Sequence, residues 1–78
     1  MDKKEMKLKK FEEEFEKKMR IKRLGETHYV EVGLNNNTVI TADSYINYYL
    51  EYGVFSIEFL RNGRALGTYD IDEIKILR

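Results

Sequence analysis

The chain has 78 residues, with 14 Lys and Arg set against 14 Asp and Glu, no cysteine, no proline and one histidine. A chain this short buries only about 60% of its unfolded surface, which predicts a single domain over residues 1–78, and the missing thiols exclude a disulfide framework and a thiolate metal site. Zero net charge argues against a general polyanion binder and against an acidic nucleic-acid mimic. No run approaches the roughly 18 apolar residues of a membrane helix, and charges stand where a signal peptide has its apolar region. The expectation is a soluble, unprocessed, cytoplasmic protein with no membrane partner.

A change of pattern at Gly25 divides the chain. Asp2 followed by Glu5 reads as an N-cap with a capping-box-like acid. Leu8, Phe11, Phe15 and Met19 then recur at intervals of three, four and four, one narrow stripe of a helix predicted over about residues 3–24. Glu5 with Lys9, Glu13 with Lys17, Glu14 with Lys18 and Glu16 with Arg20 are acid-first pairs four apart, each adding about 0.2–0.5 kcal/mol. Lys22 and Arg23 complement the C-terminal dipole before Gly25 ends the helix, although Ile21 and Leu24 fall off the stripe. Residues 1–23 hold ten cations and six acids, while residues 24–78 hold four cations and eight acids. A basic helix can therefore rest against an acidic sheet edge, or the two surfaces can meet different partners.

The β-rich part is predicted over about residues 27–77. From Thr27 to Leu34 the period is two, with His28, Val30, Val32 and Leu34 on one face and Tyr29 and Glu31 on the other. Asn35-Asn36-Asn37 is a turn, because asparagine tolerates left-handed backbone angles, and Thr38–Asp43 returns as the second arm of a hairpin. Residues 44–52 favour a strand on aromatic and β-branched content, against two helical turns between a Ser44 cap and Gly53. Val54–Arg61 alternates, with Phe55, Ile57 and Phe59 on one face. Asn62-Gly63 is the strongest hairpin signal, and a two-residue loop there sets Phe59 opposite Leu66 and Ile57 opposite Thr68. Asp70–Asp72 makes a short turn before a closing strand with Ile74 and Ile76. The fold class is α+β: an N-terminal helix and four to six short strands in a curled antiparallel meander or a small SH3/Sm-like barrel. The helix stripe either packs on the sheet or meets a second copy, making a homo-oligomer through Leu8, Phe11, Phe15 and Met19.

Catalytic chemistry is poorly represented. His28 has no orienting neighbour and reads as a structural histidine, and no nucleophile elbow, phosphate loop or paired-histidine motif occurs. Asp70, Asp72 and Glu73 read as turn formers rather than a metal site, since calcium-loop spacing is missing. No enzyme activity and no cofactor are expected. With residues 44–51 extended, Ile46, Tyr48, Leu50 and Tyr52 read as the core face. Tyr45, Asn47, Tyr49 and Glu51 then form an outer, amphipathic one. Tyr45, Asn47 and Tyr49, with Arg61 and Arg64 from the later hairpin, are the candidate partner-binding residues.

Asp43-Ser44-Tyr45-Ile46-Asn47-Tyr48-Tyr49-Leu50, after a helix and among five short strands, resembles the first signature of the Sm-like small barrels, Asp-x-hydrophobic-Met-Asn-hydrophobic. The resemblance implies that Asp43, Tyr45 and Asn47 would hold a base of single-stranded RNA. The chain departs from that family in a short strand between Asn37 and Asp43, and in Ile71-Asp72-Glu73 where the second signature has an Arg-Gly pair. In composition the chain is similar to accessory proteins of bacteriophages and mobile elements from low-GC bacteria, many of which inhibit a host enzyme or defence complex. The leading expectation is a non-enzymatic protein-binding module, an inhibitor or adaptor. The alternative is an Sm-like single-stranded nucleic-acid binder.

Overall fold

The helix forms where the apolar stripe and the flanking charges coincide. In the computed structural model, which describes residues 3–20, 29–50 and 54–77, helix α1 spans Lys3–Arg20. Phe11 and Phe15 are buried, with Leu8 and Met19 half-buried beside them. The Phe11/Phe15 part of the stripe is thus buried in the chain's own core. The expectations for the Asp2 cap, for residues 21–24 with the Gly25 stop, and for Thr27, His28, Tyr52 and Gly53 fall outside the described residues.

Among the described residues six strands follow: β1 (Val30–Leu34), β2 (Val39–Ala42), β3 (Ser44–Leu50), β4 (Val54–Arg61), β5 (Arg64–Asp70) and β6 (Ile74–Leu77). They form two antiparallel three-stranded sheets ordered β2-β1-β6 and β3-β4-β5, and among the described residues no strand pairing closes these into a barrel. The α+β class stands, and residues 44–50 are extended rather than helical.

Each sheet has one face turned to the core. In β1, Val30, Val32 and Leu34 are buried while Glu31 is exposed, the predicted alternation. Asn37 takes φ +64°, and the Asn37 amide donates to the Leu34 carbonyl at 3.1 Å, a type I turn closed by a left-handed residue. Asn36 Oδ1 accepts from the Thr38 amide at 3.1 Å. Asn35 ties this loop to a 3-10 helix at Ile71–Glu73: its amide donates to the Glu73 carbonyl at 2.9 Å and its Nδ2 to the Asp72 carbonyl at 3.0 Å. That single turn starts with a reciprocal cap. Asp70 Oδ1 accepts from the Asp72 amide and Glu73 Oε2 accepts from the Asp70 amide, both at 2.8 Å.

The Asn62-Gly63 turn forms with both residues at positive φ, +54° and +80°. Arg61 pairs with Arg64 and Leu60 with Ala65 as a two-residue loop requires, but Phe59 then pairs with Gly67 and Ile57 with Tyr69, one residue beyond the expected register. A bulge at Phe59/Leu60 takes up the extra residue. It has a packing cause: Leu66 and Tyr69 both rest against the core, and residues three apart share one face of a strand only if one is inserted.

Gly67 (φ +133°) is tighter than Gly63. A Cβ at Gly63 would meet nothing within 4 Å, whereas at Gly67 it would lie 2.9 Å from Tyr69 Oη and 3.2 Å from the ring. Gly63→Ala is expected to cost about 1–2 kcal/mol from backbone strain alone, and Gly67→Ala clearly more, because the Tyr69 ring must also move. Urea denaturation of the two variants checks the order; equal losses would contradict the bulge geometry.

Candidate interaction site

The predicted binding residues are distributed between β3 and the turn of the β4–β5 hairpin. β3 pairs with β4 so that Tyr45 stands opposite Phe59, Asn47 opposite Ile57 and Tyr49 opposite Phe55. Since Phe59 and Ile57 are fully buried, this register turns the Tyr45 face inward and the Ile46/Tyr48 face outward, the reverse of the expected arrangement. The Tyr45 ring meets Phe11 at 5.0 Å and Phe15 at 4.9 Å between centroids, both edge-to-face. Burial is the main cause that holds its hydroxyl above the ordinary tyrosine pKa, with the Glu12 and Glu16 carboxylates adding to it. Asn47 Nδ2 donates to Glu12 Oε1 at 2.8 Å, so this exposed amide braces the helix. The expectation for the Tyr49 side chain lies outside the described residues.

Asp43 works as a staple at the only residue between β2 and β3. Its Oδ2 accepts from the Asn62 amide at 2.9 Å, its Oδ1 accepts from Ser44 Oγ at 3.3 Å, and its own amide donates to the Leu60 carbonyl at 3.0 Å. Arg61 donates to Thr41 Oγ1 at 2.6 Å, and Asn62 Nδ2 donates to Tyr29 Oη at 3.1 Å. Arg64, directly opposite Arg61, is exposed. The turn carrying Arg61 and Arg64 is thus tied by side-chain bonds to β2 and the bend.

The outer face of β3 was missed as an exposed surface. Ile46 and Tyr48 are each 42% exposed. Tyr48 Oη donates to Glu58 Oε1 at 3.2 Å, and that bond, lost on ionisation, pushes the phenol pKa up. The signal was available: three residues separate Leu50 from Val54, and counting outward from that pair sets Tyr45 against Phe59. Because Phe59 belongs to the apolar face of β4, its partner must share the core side.

Asp70, Asp72 and Glu73 serve the 3-10 cap and the helix. Lys7 Nζ donates to Asp72 Oδ1 at 2.8 Å, and Lys4 Nζ lies 3.4 Å from Asp72 Oδ2 and 3.9 Å from Asp70 Oδ2. The basic helix therefore does rest on an acidic corner. Among the described residues no three His, Cys, Asp or Glu side chains group to hold a metal ion, and no helix is long and apolar enough to cross a membrane. Comparison with protein-family models, curated proteins and solved structures returns no match, so a functional reading stands on the chemistry of these surfaces.

The hydrogen bond from Lys7, aided by Lys4, holds the Asp72 carboxyl below its ordinary pKa of 3.8. A lowered carboxylate pKa stabilises the fold above the unfolded value, and that contribution is lost as pH falls through the folded one. The pairs are exposed, so Asp72→Asn is expected to cost under about 1 kcal/mol near neutrality. The difference between parent and variant should vanish in acid, once the folded carboxyl is protonated. Thermal melts at neutral and acid pH check this; a gap that persists in acid would assign the loss to packing.

Proposed function

We propose that the protein is a non-catalytic protein-binding module, an inhibitor or adaptor, that engages its partner through the outer face of β3. The observation that carries this reading is the exposed pair Ile46 and Tyr48, two residues apart on one strand face, with the Tyr48 hydroxyl held by Glu58. A tyrosine fixed in this way presents a rigid ring with little rotamer entropy left to lose, the property that makes aromatic anchors effective at protein interfaces. A bacterial target, by analogy with phage and mobile-element accessory proteins, belongs to the same proposal.

We further propose that the two sheets are halves of a small SH3/Sm-like barrel. Three features support it: β2 and β3 are separated by Asp43 alone, so that one bent strand serves both sheets; β1 pairs with both β2 and β6; and a single 3-10 turn leads into β6. The strand running on through the bend also answers the short strand seen in the sequence. The nucleic-acid reading that accompanies this barrel family is the weaker one here. Asp43, Tyr45 and Asn47, which would have to hold a base, instead hold Asn62, the Phe11/Phe15 pair and Glu12.

Ile46→Ser combined with Tyr48→Ala should leave the melting temperature close to that of the parent and weaken a nuclease-resistant protein complex by about 2 kcal/mol or more. Affinity capture from a bacterial lysate with and without nuclease, followed by titration of the recovered partner, measures it. Tight, salt-sensitive binding of oligo(U) by the parent would instead favour the nucleic-acid reading.

A further inference from the structure

A second surface, where α1 faces the 3-10 helix and β6, has its own chemistry. Between α1 and the segment running from the 3-10 helix into β6 lies an open cleft of about 250 Å³ lined by Lys7, Lys10, Phe11, Glu14, Ile71, Ile74 and Lys75. Phe11 and Ile71 are almost wholly buried and Ile74 half-buried, so they form a floor, while the charged residues form the rim. The rim holds three lysines to one glutamate. Lys7 is already taken by Asp72. Lys10, on the helix wall, and Lys75, on the strand wall, make no ion pair among the described residues, and both are exposed.

We propose that this cleft docks an acidic peptide segment of a partner protein, one apolar side chain seated on Phe11, Ile71 and Ile74 and flanking carboxylates reaching Lys10 and Lys75. The floor disfavours a nucleic-acid strand, because its one ring, Phe11, is only 5% exposed and offers no open face on which bases could stack. A chain of zero net charge also lacks the wide basic field that binding a phosphate backbone uses. An acidic peptide needs only two cations, one on each wall, and an apolar seat between them. Complementary rim charges would orient the segment and speed its association, while the seat supplies residence time. The inference does not depend on the β3 face, and Ile46→Ser with Tyr48→Ala serves as its control.

The test uses the full chain and a short labelled peptide in which a leucine is flanked on both sides by Glu and Asp, followed by fluorescence anisotropy and by amide shift mapping in NMR. Binding should move the amides of Lys10, Ile71, Ile74 and Lys75. Lys10→Glu with Lys75→Glu should weaken it about tenfold or more, as should replacing the peptide's leucine by serine, while the β3-face double variant binds like the parent. Lys10→Gln with Lys75→Gln, a milder pair, should give a smaller loss of the same sign. The proposal is overturned if the peptide does not bind, if shifts map elsewhere, if the serine peptide binds equally, or if oligo(dT) or anionic vesicles bind as tightly as the peptide.

Discussion

A cluster of four aromatic rings fastens the helix to the β3-β4-β5 sheet. Phe11 and Phe15 descend from α1, Tyr45 comes from β3 and Phe59 from β4; Phe11 lies 5.0 Å from Tyr45 and 5.8 Å from Phe59. Burying side chains of this size stabilises by about 1.5–3 kcal/mol each. The helix needs that help. Its 18 residues are mostly charged, and an isolated helix of such length is marginal in water. Without the cluster the helix would have no reason to lie where it does, and neither Asn47 nor the Lys4 and Lys7 side chains would reach their partners.

The polar contacts around this cluster set orientation more than stability. Lys4 and Lys7 on Asp72, Glu12 on Asn47, and Asp43 on the Asn62 amide are exposed or half-exposed bonds, individually modest in water. Lys4 and Lys7 fix the first half of the helix and Glu12 its middle, while Asp43 ties the bend to the β4–β5 turn, so each limits how its elements can slide. The same placement explains why residues resembling a base-binding signature do structural work: Asp43, Tyr45 and Asn47 mark the bend and the strand on which the helix rests. The outer face of β3 and the Lys10 and Lys75 walls of the cleft lie at the margin of this network, while Phe11 and Lys7 belong to the network and the cleft alike. The two surfaces lie on different elements, so one protein could contact a partner at two places.

Much of the fold was legible because its signals are local. The Leu8, Phe11, Phe15, Met19 stripe, the left-handed Asn37, the Asn62-Gly63 turn and the alternation of Val30, Val32 and Leu34 each follow from a residue and its near neighbours. What escaped was non-local. The β5 bulge exists because Leu66 and Tyr69 both find room against a core assembled from distant segments. The facing of β3 escaped for a related reason: each face carries a tyrosine, and apolar Ile46 lies outside while polar Asn47 lies on the inward-turned face, so alternation alone points the wrong way. Only pairing with Phe59 and Ile57 decides it. The candidate site moved by one residue in consequence, since a strand turned over exchanges its two faces completely.

The central claim is that Tyr45 belongs to the helix–sheet contact and not to the exterior. A double-mutant cycle measures this directly, with Phe15→Leu and Tyr45→Leu made singly and together so that burial is retained while the rings are lost. Chemical denaturation should give a coupling of about 0.5–1.5 kcal/mol between the two positions, as an edge-to-face pair at 4.9 Å requires. Losses that add to within about 0.3 kcal/mol would contradict the account and return the Tyr45 ring to the outer face.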